Sequence, residues 1–139
     1  MGELRDTVVP PVPAEVAEVF DRMPETVRDR LLGIRALVFE VAAARPEVGR
    51  IAECLKWGQP AYLTPESRSG TTLRLGLGKG GAAAVFTHCQ TRVVPEFRAI
   101  FPDAFAYDGN RGVLLPAGDA LDEAALRMLI GRALTYHLR

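Results

Sequence analysis

The chain has 139 residues, with 17 basic and 17 acidic side chains, and 48% of its residues are hydrophobic. This length fits one domain whose core can form without metal or disulfide crosslinks, and the hydrophobic content excludes wholesale disorder. The formal net charge of zero argues against a protein that coats nucleic acid, because such proteins depend on neutralising phosphates.

Neither a membrane span nor a secretion leader is predicted. No apolar run approaches the roughly 20 residues that a membrane-spanning helix needs, and residues 1–6 lack the apolar stretch of a signal peptide. The two cysteines, Cys54 and Cys89, are too few for the disulfide framework of a secreted protein. We therefore expect a cytoplasmic protein with no membrane or nucleic-acid partner.

The first sixty residues are predicted to contain an extended arm followed by three helices. Residues 1–12 form the arm, because their closely spaced prolines are incompatible with a helix. Apolar side chains then recur every three or four residues in three segments, each preceded by a proline. The predicted helices span residues 14–23, 25–45 and 47–56. Gly58 and Pro60 are expected to end the third helix.

After Pro60 the hydrophobic period changes to two, which is typical of strands. Five strands and two further helices are predicted in the order βββ-α-ββ-α. The strands are 61–63, 72–77, 83–88, 105–107 and 112–115, and the helices are 92–101 and 121–138. Thr91 is expected to cap the first of these helices.

The complete order, ααα-βββ-α-ββ-α, predicts an α+β fold. Because successive strands are joined by hairpin turns, the five-stranded sheet should be mostly antiparallel. The helices should cover one face of that sheet in a two-layer domain over residues 13–139. The oligomeric state is left open.

No catalytic motif is recognised. The glycine-rich segment 76–81 lacks the residue order of a phosphate-binding loop and is predicted to be a hairpin turn. His88 and Cys89 stand at the end of a predicted strand, where adjacent side chains point to opposite faces, so they form no dyad unless the strand already ends at Thr87. Cys54 is predicted to be a small core residue. We expect a non-enzymatic protein, with an enzyme of an unrecognised class as a lower-ranked alternative.

Metal-ligand spacings are also absent from the sequence. Glu15, Glu18, Asp21 and Glu25 form an acidic row on a helix flank and could hold a hard cation weakly, the first three being the residues to replace in a test. However, Arg22 and Arg28 interrupt this acidic row, and a solvated helix face is the simpler interpretation. The residues themselves therefore predict no metal or other cofactor.

One segment carries more polar groups than the fold requires. Residues 56–62 join the third predicted helix to the first predicted strand, and further cations and hydroxyls follow. The candidate ligand-binding residues are Lys56, Trp57, Gln59, Tyr62, Thr72, Arg74, His88 and Thr91. Together they could form a polar groove for a small polar or anionic ligand, or for a protein partner. In the alternative interpretation, Trp57 and Tyr62 simply close the core.

The same segment carries a family resemblance. The element Lys-Trp-Gly-x-Pro-x-Tyr at 56–62 and the segment 69–74 resemble the YdhG-like domain family, a domain-of-unknown-function grouping of small bacterial proteins. Segments 86–91 and 107–111 are similar to one branch of it. The resemblance spans about residues 13–138 and implies a two-layer α+β fold like that of secretion chaperones. Some members are described as frataxin-like iron chaperones, which makes iron handling an alternative function.

Overall fold

A computed structural model of the chain describes residues 8–116, 118 and 120–138. Over these residues the chain forms four α-helices and one six-stranded antiparallel sheet. The helices are α1 (Ala14–Asp21), α2 (Glu25–Ala43), α3 (Val93–Ile100) and α4 (Glu123–Leu134). The strands are β1 (Ala52–Lys56), β2 (Gln59–Leu63), β3 (Leu73–Leu77), β4 (Ala83–Phe86), β5 (Ala106–Asp108) and β6 (Gly112–Leu115). The predicted α+β class and the antiparallel sheet are confirmed.

The predicted third helix at 47–56 is wrong, because its second half is strand β1. This strand pairs along its whole length with β2, so the sheet has six strands rather than five. Glu53 occupies an inward-facing position of β1 as the register partner of the buried Tyr62. A half-buried strand is recognised by the alternation of apolar and polar residues, and a carboxylate at an inward position breaks that alternation.

The remaining predicted elements lie within two residues of their observed bounds, except at the end of the closing helix. Helix α4 ends at Leu134, and a short 3-10 turn follows at Tyr136–Leu138. At its start the Asp122 carboxylate accepts a hydrogen bond of 3.0 Å from the Ala125 amide, which makes Asp122 the N-cap.

The helices cover one face of the sheet, as predicted, and the core lies between the two layers. The strand order is β1-β2-β3-β4-β6-β5, and each neighbouring pair is antiparallel. Alternate strand residues point inward and pack against apolar residues from all four helices. These inward residues include Tyr62, Leu73, Leu75, Ala83, Val85, Val113 and Leu115.

The strand residues that alternate with the inward-facing ones point to the other side of the sheet, which we call the outer face. They are Ala52, Cys54, Lys56, Gln59, Ala61, Leu63, Arg74, Gly76, Ala84, Phe86, Ala106, Asp108, Gly112 and Leu114. Among the described residues, the buried apolar cluster on this face consists of Ala84, Phe86 and Leu114 and contains no helix residue. The outer face is therefore the side of the sheet that the helices leave uncovered.

The predicted N-terminal arm lies partly outside the described residues, which begin at Val8. From Pro10 to Pro13 the chain is neither helix nor strand. The carbonyls of Pro10 and Pro11 accept hydrogen bonds from Arg35 Nη2, at 2.8 and 3.3 Å. This part of the arm is thereby held against α2.

Within the described ranges, none of the helices combines the length and the apolar character that crossing a bilayer requires.

Candidate ligand-binding site on the outer sheet face

Three of the eight predicted site residues lie together on the outer face. Lys56 at the end of β1 is the register partner of Gln59 at the start of β2. The Gln59 side chain in turn accepts a hydrogen bond of 2.7 Å at Oε1 from Arg74 Nη1 on β3. The two cations are therefore brought to one surface, although Lys56 is carried by a strand and not by the predicted helix.

Arg74 lies against an aromatic ring that a second arginine also contacts. Phe86 is the register partner of Arg74 on β4, and the guanidinium carbon of Arg74 lies 5.5 Å from the ring centroid. The guanidinium carbon of Arg111 lies 5.1 Å from the same centroid. The ring is only 2% exposed, so both contacts are of the cation–π type at a partly desolvated position.

Two glycines make room for this arrangement. A Cβ at Gly76 would collide with the side-chain amide of Gln59. A Cβ at Gly112 would lie 3.1 Å from an edge carbon of the Phe86 ring, which is tighter than ordinary van der Waals contact. Glycine at these strand positions lets side chains lie flat on the backbone.

Positive charge exceeds negative charge on this face. Asp108 is the one carboxylate among the outer-face residues, and it serves two cations. Its Oδ2 lies 3.3 Å from Arg111 Nη2, and its Oδ1 lies 3.7 Å from Lys79 Nζ. Lys56 and Arg74 have no ion pair with a carboxylate of the described residues. The two cations of the outer face therefore lack a carboxylate partner within the described ranges, and the one carboxylate of this face is shared by two cations beside it.

The surroundings of Arg74 disfavour its positive charge. Burial lowers the pKa of its guanidinium below the ordinary value, and the positive charge of Arg111 lowers this pKa further. An arginine nevertheless stays protonated in proteins, so Arg74 keeps its charge in a partly desolvated position near a second cation. An anion bound beside Arg74 would compensate that charge.

Tyr62 does not belong to this site, contrary to the prediction. It faces the core with 0% exposure, and its hydroxyl donates a hydrogen bond of 2.8 Å to Glu53 Oε2. Burial and the charge of Glu53 raise the pKa of Tyr62 far above its usual range. The alternative interpretation, in which this ring closes the core, is correct for Tyr62.

Trp57 neither closes the core nor ends a helix. It lies at the tip of the β1–β2 hairpin, 90% exposed. Its φ is 56° and that of Gly58 is 72°, and two successive positive values are typical of a tight hairpin turn. Gly58 is therefore a turn residue and not a helix terminator.

The other predicted residues are not joined to Arg74 by contacts among the described residues. His88 is exposed beyond the end of β4, where its Nδ1 accepts a hydrogen bond of 3.1 Å from the Gln90 amide. Thr91 does not cap α3, because its hydroxyl donates to the His88 carbonyl at 2.9 Å and Arg92 precedes the helix. Thr72 is half-buried just before β3.

The acidic residues proposed for a hard cation lie exposed on α1. They are Glu15, Glu18 and Asp21. Across the described parts of the chain, no three or more histidine, cysteine, aspartate or glutamate residues are grouped so that they could hold a metal ion. Cys54, predicted to be a core residue, is instead half-buried on the outer face and free, and Cys89 is exposed and free.

A groove of about 580 Å³ lies elsewhere, between α2 and α4, and Arg45, Arg127 and Arg132 line it. Two of these arginines already have carboxylate partners. Arg127 lies 2.6 Å from Glu40, and Arg132 lies 3.5 Å from Glu96. The charges of this groove are thus largely compensated, which distinguishes it from the outer face.

Sequence reasoning missed Phe86, Arg111, Asp108 and Lys79. Arg111 follows the sequence Asp108-Gly109-Asn110, which is typical of a hairpin turn, so its position at a hairpin could be foreseen. Its proximity to Phe86 depends on the pairing of β4 with β6, which are separated along the chain by α3 and β5. No local pattern predicts that pairing.

The fold has a solved counterpart. A crystal structure of a protein from the DUF1801 family, YdhG of Bacillus subtilis, matches with a TM-score of 0.60 at 16% sequence identity. The match covers 86% of this chain and 89% of that chain. No family model matches this chain, and no curated protein is similar enough to count as a relative. The structural match establishes the fold, so the YdhG-like architecture expected from segment 56–62 is confirmed.

Proposed function

We propose that this chain, which has the YdhG-like fold of a DUF1801 protein, is a non-enzymatic module that binds small anionic ligands on its outer face. The observation that carries the proposal is the environment of Arg74. Its guanidinium is partly removed from water, lies near a second guanidinium, and has a neutral amide as its hydrogen-bond partner.

Removing a cation from water is costly unless a partner compensates the charge. In a purely structural arginine that partner is commonly a carboxylate, as Glu40 is for Arg127. Arg74 has Gln59 and the Phe86 ring instead. Its compensation is incomplete, and an anionic ligand would complete it.

The guanidinium of Arg74 is also held in position before any ligand binds. Gln59 fixes one of its nitrogens, and the Phe86 ring fixes the position of its plane. A guanidinium has five N–H donors, and one hydrogen bond joins this one to the described residues. The remaining donors match the oxygens of a carboxylate or a phosphate.

The proposal is for binding rather than catalysis because of the groups that the site offers. General acid–base catalysis needs a group whose pKa lies near the working pH. The candidate site instead offers hydrogen-bond donors, namely the guanidiniums of Arg74 and Arg111, the ammonium of Lys56 and the amide of Gln59. Such groups hold an anion and orient it.

The proposal places the protein in the cytoplasm. Both of its cysteines, Cys54 and Cys89, are free thiols, which suits a reducing compartment. An iron-chaperone role has no comparable support from the described residues.

Titration of the full chain with phosphate, sulfate and acetate, followed by amide NMR shifts, tests the proposed function. We expect saturable binding with the largest shifts at Gln59, Arg74 and Phe86. Arg74→Gln should weaken binding by about 10- to 100-fold, because a charge-assisted hydrogen bond contributes about 1.5–3 kcal/mol.

Arg98→Gln is the matched control. Arg98 also lies over an aromatic ring, 5.1 Å from the Tyr107 centroid, but Tyr107 points to the inner side of β5. This variant should bind like the unmodified chain. The proposal fails if no anion binds saturably or if Arg74→Gln binds as well as Arg98→Gln.

A further inference from the structure

We infer that the ligand of the outer face carries two anionic groups, one held by Arg74 and the other by Arg111. The simplest members of this class are short dicarboxylates. This assignment rests on the proposed function, because it specifies the ligand of the same site.

The two guanidiniums come from residues on either side of β4, the strand that carries Phe86. Arg74 lies on β3, Phe86 on β4, and Arg111 directly before β6, and β4 pairs with both neighbours. Adjacent strands are about 4.8 Å apart, which separates β3 from β6 by about 10 Å. Both guanidinium carbons lie within 5.5 Å of the Phe86 centroid, so their separation cannot exceed twice that distance.

Each guanidinium can hold a carboxylate of its own through paired N–H donors. A monoanion supplies one negative charge for the two arginines. A molecule with two anionic groups on a linker of a few bonds can offer one group to each. The two arginines therefore favour a dianion.

The charges on the two sides of Phe86 support the same conclusion. On the β3 side, Arg74 and Lys56 lie on either side of Gln59, and no carboxylate is among the outer-face residues there. On the β6 side, Arg111 and Lys79 share the single carboxylate of Asp108. Each side thus retains uncompensated positive charge, and each can take one anionic group.

Calorimetric titration of the full chain with dicarboxylates from succinate to pimelate, and with the half-amide of each, tests this inference. A half-amide keeps the length of the molecule and removes one charge. We expect at least one dicarboxylate to bind tenfold or more tightly than its half-amide. Arg74→Gln and Arg111→Gln should each reduce that ratio to about one, while Arg98→Gln should preserve it.

The outcomes separate this inference from the proposed function. If every dicarboxylate binds no more tightly than its half-amide, a second anionic group contributes nothing to binding; the inference is then overturned and the proposed function stands. If Arg111→Gln retains the preference, Arg111 does not hold the second group and the inference is likewise overturned. If neither series binds saturably, both fail. Circular dichroism of each variant establishes that it is folded.

Discussion

Arg35 and Glu53 form a buried ion pair that ties the helical layer to the edge of the sheet. Arg35 Nε lies 2.6 Å from Glu53 Oε2, and each side chain is 5% exposed. Arg35 is in α2 and Glu53 is in β1, the first strand of the sheet order. The hydroxyl of Tyr62 and the carbonyl of Pro10 complete the hydrogen bonding of the pair.

Breaking this pair should be strongly destabilising. Glu53→Gln leaves the Arg35 charge buried without a compensating carboxylate, so we expect the free energy of unfolding to fall by about 3–5 kcal/mol. Urea denaturation followed by circular dichroism measures the change. Arg50→Gln removes an exposed partner of Glu66 and should change stability by less than about 1 kcal/mol. Equal effects of the two substitutions would show that the buried pair is not a main source of stability.

Tyr62 should make stability depend on pH in the alkaline range. Burial and the charge of Glu53 raise its pKa in the folded state, while the unfolded chain has the ordinary value of about 10. Above that pH the unfolded state loses a proton that the folded state keeps, so the free energy of unfolding falls as pH rises.

The test compares urea denaturation of the unmodified chain and of Tyr62→Phe between about pH 9 and 11. Tyr62→Phe should be less stable near neutrality, because Glu53 loses a hydrogen bond. Its stability should nevertheless fall less steeply above pH 10. Identical slopes for the two proteins would rule out this origin of the pH dependence.

Gly76 should matter for binding more than for stability. In Gly76→Ala the new methyl group displaces the flexible end of Gln59, which then cannot hold Arg74. We expect weaker anion binding by NMR titration, with a small stability loss, because replacing a glycine inside a strand by alanine contributes about 0.5–1 kcal/mol that offsets the displacement of Gln59. Gly33→Ala is the glycine control, since no atom lies within 4 Å of the new Cβ in α2. It should raise stability by about 0.5–1 kcal/mol and leave binding unchanged, and the prediction is refuted if Gly76→Ala binds normally.

Trp57 should be replaceable with a gain in stability. A bulky residue at a positive φ is strained by about 1–2 kcal/mol, and the indole is 90% exposed, so little burial is lost with it. We expect Trp57→Asn to raise the urea midpoint, because asparagine tolerates this conformation. Arg68→Asn should act alike, since Arg68 has a φ of 55°. A lower midpoint in Trp57→Asn would mean that the indole packs usefully in solution.

Helices and strands whose ends are marked by a local sequence pattern could be predicted from the sequence alone. Strand β6 was predicted at its observed bounds because the preceding Asp-Gly-Asn turn fixes where it begins. Strand β1 was mistaken for a helix because Glu53 faces inward, and its burial depends on Arg35, 18 positions earlier. No property of the segment itself reveals that compensation.

The positions of the candidate residues could be predicted only in part, for the same physical reason. Lys56, Gln59 and Arg74 lie together because consecutive hairpins bring neighbouring strands together. Tyr62 is expected on the ligand-binding side but faces the core. Which residues of β2 point inward depends on its register with the neighbouring strands, and the sequence does not show that register. Arg111 was missed because β4 and β6 pair across an intervening helix.

The strand order has a consequence for how the protein acquires its binding surface. Strand β6 lies between β4 and β5 in the sheet and is separated from β4 along the chain by α3 and β5, so the pairing of β4 with β6 is a non-local contact of the kind that forms slowly. Until that pairing forms, β4 presents an open edge, which is the kind of surface on which chains aggregate. Competence to bind a ligand at Arg111 would therefore report that the last strand has docked.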